Sequence, residues 1–429
     1  MRVPGQKFYV FAYRLVRANK GSPGVDGTNF EDIEQKIGYE KLLSRHRIDT
    51  FLSELAQDLK NKTYHPSPVR RVMIPKADGS QRPLGIPTIR DRVAQMAVKL
   101  VIEPIFEADF CPSSYGFRPK KSAHGAVDEI AEALHQGYTQ VIDADLSKYF
   151  DSIPHAKLLA VVAERIVDSA ILHVIKLWLK APVIGEDKDG TRKNVGGGKA
   201  NSKGTPQGGV ISPLLSNCYL HLLDRIWEKH QLRWNPKNFW PGTRLKARIV
   251  CYADDFVVLC AGKVDAPLAT VRQVLERLDL TLNETKTRTV DARQESFNFL
   301  GFAIRVSKSW KSGKSYQHIC PAPKSLAKIK GRITQLTARE RTQIPLEDIV
   351  GSMNATLRGW ANYFHYRNSS GVLDKVRIHA EQRLRTHLMK RHKVKDRGTG
   401  ISRFTSQQLY TRYGLYKVPT TAGWKTAYA

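Results

Sequence analysis

The spacing of hydrophobic and polar positions predicts a chain with both helices and strands. Apolar residues recur at helical spacing in many segments, and short β-branched or aromatic runs predict strands between them. The predicted helices cover 8–19, 48–59, 91–106, 123–134, 169–179, 212–229, 268–278, 326–338, 346–366 and 372–390. The predicted strands cover 69–76, 81–87, 141–146, 249–252 and 256–260, and 185–203 is predicted to be a flexible hairpin or loop.

One predicted hairpin carries two adjacent carboxylates. Within Lys246–Cys260, two apolar runs flank Asp254 and Asp255. Asp is common in turns, so an ordinary polar turn is one interpretation. Two like charges between hydrophobic strands repel each other, and a divalent cation would relieve that repulsion. Both interpretations stay open on this stretch alone.

A third carboxylate interrupts another apolar strand. The run Val141–Leu146 contains Asp145 where an apolar residue would pack better. Hard oxygen ligands from two neighbouring strands suit Mg²⁺, which also accepts phosphate oxygens. Two such ions can hold the attacking hydroxyl and the leaving pyrophosphate of an in-line displacement. The three carboxylates together therefore indicate nucleotidyl transfer.

The predicted hairpin at 69–87 is strongly basic, with Lys76 and Arg82 on either side of its turn. Alternating cations can simply form a solvated face. Arg and Lys also pair well with phosphate oxygens, so the hairpin could instead cover a triphosphate.

The composition points to a polyanionic partner. The 429 residues include 69 Lys and Arg against 40 Asp and Glu, a formal net charge of +29. Nucleic acid is the first candidate and an anionic membrane surface the second. The five cysteines have no metal-site spacing, so neither zinc nor a disulfide framework is indicated. No signal peptide or membrane-spanning run is recognisable, so we expect a soluble cytoplasmic protein with no membrane partner.

The charge is concentrated toward the C-terminus. Residues 303–429 contain 25 Lys and Arg but 6 Asp and Glu. This part is predicted to be a separate, mostly helical, cationic domain, with an irregular stretch over about its last thirty residues.

Several motifs occur in the order found in one polymerase family. They include Asp145–Phe150, Pro206–Gly209, Tyr252–Asp255 and Phe299–Phe302. Further matching segments are 22–27, 83–88, 115–119 and 358–364. The chain resembles the reverse transcriptase/maturase proteins encoded by bacterial group II introns. Many of those proteins end in a DNA-endonuclease module with paired Cys and His; after Lys390 this sequence offers only His392, so we expect that module to be absent.

The resemblance implies an α+β fold, a right-hand polymerase with fingers and an antiparallel palm sheet, followed by a helical thumb. The implied domains are an N-terminal extension with fingers at 1–135, a palm at 136–302, a thumb/maturase domain at 303–395 and a basic tail at 396–429. The implied function is RNA-directed DNA synthesis with two Mg²⁺ ions, combined with assistance to splicing and retrohoming. The implied partners are a group II intron RNA in a ribonucleoprotein, an RNA template with a DNA primer, target DNA and deoxynucleotides.

Residue roles follow by matching motif positions. The resemblance implies that Asp145, Asp254 and Asp255 are both catalytic residues and metal ligands. The implied deoxynucleotide-binding residues are Lys76, Arg82, Tyr149, Phe150, Gln207 and Lys286. The implied primer grip is Phe299, Leu300 and Gly301. The implied nucleic-acid contacts of the thumb are Arg358, Arg367, Lys375, Arg377, Arg383 and Arg385.

Some of these roles have simpler alternatives. Tyr149, matched to an aromatic gate that excludes a 2′-hydroxyl, could be a core residue. Gln207 could cap the following helix, and Lys286 could be solvated. At the level of function, the alternatives are a splicing maturase that does not need its polymerase, or a reverse transcriptase of a defence or CRISPR-associated system.

Overall fold

The computed structural model describes residues 6–34, 41–75, 79, 81–187, 189–232 and 246–421. Side chains are described throughout these ranges except at 41–47 and 230–232. The fold is mixed α+β with antiparallel strand pairs, as predicted.

The first part of the chain combines helices with a basic hairpin. The helices are α1 (Gln6–Ala18), α2 (Phe30–Glu34), α3 (Lys41–Asn61), α4 (Ile89–Glu107) and α5 (Ala123–His135). The hairpin pairs β1 (Val69–Pro75) with β2 (Gln81–Ile86). Helix α4 begins after Thr88, whose hydroxyl accepts a hydrogen bond from the Asp91 amide and so satisfies a free donor of the first turn.

The middle of the chain alternates strands and helices. Its strands are β3 (Gln140–Asp145), β4 (Val183–Glu186), β5 (Arg192–Gly196), β6 (Ala247–Tyr252) and β7 (Asp255–Cys260). Its helices are α6 (Tyr149–Ser152), α7 (His155–Ala163), α8 (Ser169–Leu179), α9 (Ser212–Leu232) and α10 (Asp265–Arg277). The pair β4 and β5 begins two residues before the stretch 185–203, which was predicted as a flexible hairpin or loop, and forms a hairpin there.

The last part begins with strands and ends with helices. The strands are β8 (Arg288–Asp291), β9 (Phe297–Phe299), β10 (Phe302–Lys308) and β11 (Ser315–Pro321). The helices are α11 (Pro323–Leu336), α12 (Leu346–Phe364), α13 (Ser370–Arg391), α14 (Arg397–Arg403) and α15 (Ser406–Thr411), with a 3-10 turn at Arg339–Arg341. The strand orders of the three sheets are β2-β1-β4-β5, β6-β7-β3-β8 and β11-β10-β9.

The chain divides into two compact units. Unit 1 contains residues 1–130 and 144–288, and unit 2 contains residues 131–143 and 289–429. In unit 2, helices α11, α12 and α13 share a core of aliphatic residues such as Ile333, Leu357 and Leu384. In unit 1, the strands β6 and β7 are almost fully buried from Val250 to Cys260 except at the turn.

The C-terminal part is mostly helical, as predicted, with helices between Pro323 and Thr411. Residues 302–321 form an antiparallel hairpin that was not predicted, and one prediction for the end of the chain was wrong. The end of the chain was predicted to be irregular, but α14 and α15 lie there, and Phe404, Leu409 and Val418 belong to the core of unit 2. These helices are short, so each carries little helical periodicity in the sequence.

Candidate active site

The hairpin β6–β7 presents the acidic pair at its turn. Tyr252 pairs with Asp255, so the turn residues are Ala253 and Asp254 rather than the two aspartates. Ala253 has φ +56°, which places this non-glycine residue in the left-handed region. Asp254 therefore lies in the turn, and Asp255 is the first residue of β7, with an exposed side chain.

The end of β3 brings a second carboxylate to this turn. Asn283 holds Asp145 twice: its amide nitrogen donates to the Asp145 backbone oxygen at 2.8 Å, and its Nδ2 donates to Oδ2 at 3.1 Å. Lys286 Nζ lies 3.1 Å from the same Oδ2. Sequence reasoning missed Asn283, although it opens the segment that contains Lys286.

Charges around Asp254 show which groups are neighbours. Burial raises the pKa of Asp254, and the negative charge of Asp145 raises it further, while Arg82 and Lys286 lower it. Asp254 therefore lies within electrostatic reach of Asp145 and of two predicted deoxynucleotide-binding cations. In unit 1 these four side chains, two acidic and two basic, form the candidate active site.

Arg82 and Gln207 form one pair beside these charges. Arg82 Nε donates to Gln207 Oε1 at 2.7 Å, and the Gln207 backbone oxygen accepts from the Gly85 amide at 2.6 Å. These two hydrogen bonds connect the loop before α9 to β2. Lys76, on the other side of the hairpin turn, lies outside the described residues.

The two aromatic residues after Asp145 are buried. Tyr149 is 2% exposed, and its hydroxyl donates to the Ser216 backbone oxygen at 2.6 Å. Burial raises the pKa of Tyr149, with a smaller contribution from Asp254. Phe150 is 5% exposed, and its backbone oxygen accepts from the Thr205 amide at 2.7 Å. For Tyr149 this arrangement favours the core alternative, and its role as a gate stays a prediction.

Hard oxygen donors are present for a divalent cation. The Asp145 and Asp254 carboxylates are close enough to interact, and their mutual repulsion is the kind that a cation relieves. Over the described ranges, however, no three His, Cys, Asp or Glu side chains are arranged to hold a metal ion together. The donor chemistry of Asp145 and Asp254 fits a divalent metal, and the role of Asp255 as a further ligand stays a prediction.

In unit 2 the predicted primer-grip residues form a tight turn. Phe299 is buried, Leu300 has φ +49° and Gly301 has φ +82°. The Leu300 backbone oxygen accepts from the Tyr363 hydroxyl at 2.9 Å, and the Gly301 oxygen accepts from Ser325 Oγ at 2.9 Å. Helices α11 and α12 therefore fix this turn from two sides.

The six predicted thumb cations differ in their surroundings. Arg358 and Lys375 are exposed, and Arg358 lies 5.3 Å from the centre of the Tyr416 ring. Arg367, at φ +48°, lies 5.6 Å from the centre of the Tyr366 ring. The other three cations are used inside unit 2.

Those three donate hydrogen bonds within the helical domain. Arg377 binds Asp374 and Glu381, and Arg385 donates to the Phe404 oxygen at 2.9 Å. Arg383 donates to the backbone oxygens of Thr334 and Thr337 at the end of α11. Their guanidinium groups are less free to follow a phosphate backbone than the prediction assumed.

Comparisons with known proteins agree with this geometry. The family model "Reverse transcriptase (RNA-dependent DNA polymerase)" matches residues 74–304, and "Group II intron, maturase-specific domain" matches residues 326–404.

No helix within the described residues is long and apolar enough to cross a membrane.

Similar proteins come from bacteria and from a yeast. Protein YkfC of Escherichia coli is 36% identical, over 70% of this chain and 80% of its own length. The group II intron-encoded protein LtrA of Lactococcus lactis is 28% identical, over 83% of this chain and 68% of its own length. An uncharacterised 91 kDa protein in the cob intron of Schizosaccharomyces pombe is 28% identical, over 75% of this chain and 46% of its own length.

Proposed function

Because this chain belongs to the group II intron reverse transcriptases and is an RNA-directed DNA polymerase with a maturase domain, we propose that it serves one group II intron RNA. It assists the splicing of that RNA and copies it into DNA at a target site. The observation that carries the proposal is the joint presence of the Asp145–Asp254 pair in unit 1 and the maturase-specific domain at 326–404.

Reverse transcriptases use divalent metal ions, and we assign two Mg²⁺ ions to this site. Asp145 and Asp254 would hold them, with Asp255 as a further ligand. When bound, the ions supply the positive charge that in-line attack of a primer 3′-hydroxyl on a nucleotide phosphate requires. Asn283 and Lys286 keep the Asp145 carboxylate in place.

The nucleotide would lie between the fingers hairpin and the carboxylates. Arg82 Nε already donates to Gln207, which orients the guanidinium group. The remaining guanidinium donors of Arg82 are presented to phosphate oxygens. In this proposal 1–135 supplies the fingers, 136–302 the palm and 303–395 the thumb. The turn at Phe299–Gly301 positions the primer, and exposed cations such as Lys375 contact the phosphate backbone.

Primer extension with deoxynucleotides on an RNA template tests the polymerase site. We expect Asp254→Asn to reduce extension on the order of a hundredfold or more, because it removes a charged ligand of the metal. Asp279→Asn is the matched control. Asp279 is exposed, and within the described residues its ion-pair partner is Lys157. Full extension by Asp254→Asn would contradict the assignment.

Splicing is tested with the same variant. The maturase domain lies in unit 2, so Asp254→Asn should still promote excision of the cognate intron from its precursor RNA. Loss of excision in this variant, with normal RNA binding, would show that splicing assistance depends on the polymerase site. Excision that proceeds equally well without the protein would remove the maturase part of the proposal.

A further inference from the structure

The hairpin β10–β11 has one buried face and one open face. Phe302, Ile304 and Ile319 are fully buried on the inner face, where Phe302 packs against rings of α12 such as Phe364. Strand pairing places Arg305 opposite His318, which fixes both residues on the other face. The inner face explains why the hairpin is anchored, and the outer face is left for another role.

The tip of this hairpin exposes a tryptophan among lysines. Trp310 is 89% exposed, and Lys311 Nζ lies 5.2 Å from the centre of its ring. Lys308 and Lys314 are also exposed at the tip. An indole is one of the largest apolar side chains, and folding gains nothing from leaving it in water.

The outer face continues this surface along the hairpin. Ser307 pairs with Tyr316, which is 38% exposed, and the Tyr316 and His318 ring centres are 6.0 Å apart. Two atoms on these strands, Ser307 Oγ and His318 Nδ1, are buried and have no hydrogen-bond partner within the described part of the chain. These two polar atoms lie beneath the surface, so the exposed part of the face is formed by side chains such as Arg305 and Tyr316.

The charge of this surface is entirely positive. Residues 302–321 contain four Lys and Arg and no Asp or Glu. Arg305 and Lys375 both act electrostatically on Cys320, which places the α13 cation beside the outer face of the hairpin. A surface with cations and ring faces, but no acidic group, is suited to a polyanion that also offers flat apolar rings.

We propose that the tip and outer face of the β10–β11 hairpin bind single-stranded nucleic acid. An unpaired base stacks on Trp310, and Lys308, Lys311 and Lys314 contact the phosphates on either side. An acidic peptide would satisfy the lysines but not the exposed indole. The site is distinct from the predicted deoxynucleotide-binding residues, lies beside the predicted thumb contact Lys375 and does not depend on catalysis.

Binding of fluorescein-labelled, unstructured 12-nucleotide RNA to the full chain tests the proposal, with neither Mg²⁺ nor deoxynucleotides present. We expect Trp310→Ala to weaken binding about tenfold and Trp310→Tyr to restore most of it, because stacking tolerates another ring. Val167→Ala is the matched control, because Val167 is an apolar side chain that is 92% exposed. Equal affinities of Trp310→Ala and the unmodified chain would overturn the stacking contact.

Salt titration tests the lysines separately. The triple change of Lys308, Lys311 and Lys314 to Gln should lower the slope of log affinity against log salt by about 2, while Trp310→Ala leaves it unchanged. Changing the exposed Lys60, Lys62 and Lys263 to Gln removes the same charge from unit 1 and should not change the slope. Equal slopes for the two triple variants would overturn the phosphate contacts.

A parallel titration with DNA of the same sequence distinguishes the two possible strands. If RNA and DNA both bind through Trp310, the site accepts single strands in general. If only RNA binds through Trp310, the site is a contact for intron or template RNA. An acidic peptide that competes fully with RNA would overturn the proposal in favour of a protein partner. If the single-strand proposal is wrong, the result of the primer-extension assay does not change. The two proposals can therefore fail independently.

Discussion

Asp224 is a carboxylic acid buried within unit 1, at 2% exposure on helix α9. Its Oδ1 accepts a hydrogen bond from Cys251 Sγ at 3.3 Å, two residues before the Ala253–Asp254 turn. Burial raises the pKa of Asp224 to about 7, and the charge of Glu228 adds to this effect. The folded state therefore holds a proton that the unfolded state releases near pH 4.

This difference predicts how stability depends on pH. Because the folded protein binds the proton more tightly, the contribution of Asp224 becomes less favourable as pH rises from about 4 to about 7. We expect Asp224→Asn to raise stability at pH 8 by on the order of 2 to 4 kcal/mol and to change little at pH 4. Thermal unfolding across this pH range measures it, and an equal effect at both ends would contradict the protonated state.

The missing side chain of Gly116 leaves room for the turn that carries Asp254. A Cβ at this position would lie 2.2 Å from the Ala253 backbone nitrogen, and the Gly116 oxygen accepts from Asn217 Nδ2 at 2.7 Å. The loop containing Gly116 is thus pressed directly against the turn that carries Asp254.

We expect Gly116→Ala to displace that turn, because neither backbone can move away freely. The variant should lose about 1 to 3 kcal/mol of stability and most of its primer extension. Gly262→Ala is the control, since a Cβ there meets nothing within 4 Å. Normal extension by Gly116→Ala would mean that the turn tolerates displacement.

At the scale of elements, helix α13 joins the helices of unit 2 through its own cations. Arg383 reaches the last carbonyls of α11, which no helical partner satisfies, and Arg385 reaches the end of α14. Glu381 of the same helix contributes a negative charge. It is buried and accepts hydrogen bonds from the hydroxyl groups of Ser406 and Tyr410 of α15. Residues that the sequence places in a nucleic-acid surface therefore also hold the domain together.

Replacing Arg383 tests this structural role. We expect Arg383→Gln to lower the free energy of unfolding by about 2 kcal/mol, because it removes charge-assisted bonds to the end of α11. Lys375→Gln, one exposed cation on the same helix, should leave the melting temperature unchanged and only weaken RNA binding. Equal melting temperatures of the two variants would show that the Arg383 bonds add no stability.

The sequence predicts elements best where they are long and periodic. The ten predicted helices are all confirmed, with ends that differ by up to seven residues, as in α3. The hairpin β10–β11 was missed although Phe302, Ile304 and Val306 alternate with Ala303 and Arg305. The period-2 signal was present, but residues 303–325 were assigned no element, since the helices of this part were predicted from apolar stripes that begin at 326.

The acidic residues of the candidate site could be predicted from the sequence, but the hydrogen bonds that hold the site together could not. Asp145 and Asp254 stand out because carboxylates interrupt apolar strands. Asn283 is 138 positions from Asp145, and Gln207 is 125 positions from Arg82. Polar contacts over such separations leave no local pattern, so only the folded chain reveals them.

For the whole molecule, the net charge of +29 determines how binding responds to salt. If intron RNA is held by many phosphate contacts, its affinity should fall by about 10³ or more between 50 and 200 mM salt. Filter binding of the cognate intron RNA at several salt concentrations measures this. A decrease of less than tenfold would mean that base or shape contacts, rather than charge, hold the RNA.

The path of the chain between the two units has a consequence for synthesis on the ribosome. Residues 131–143 leave the ribosome early, yet the rest of their unit begins only at residue 289. At about 5 to 20 residues per second, Leu134, Val141 and Ile142, all buried in the finished protein, are synthesised on the order of ten seconds before residue 289, where the rest of their unit begins. During that interval an apolar segment next to Asp145 is a natural binding site for chaperones, and slower translation of residues 144–288 would prolong its exposure to aggregation.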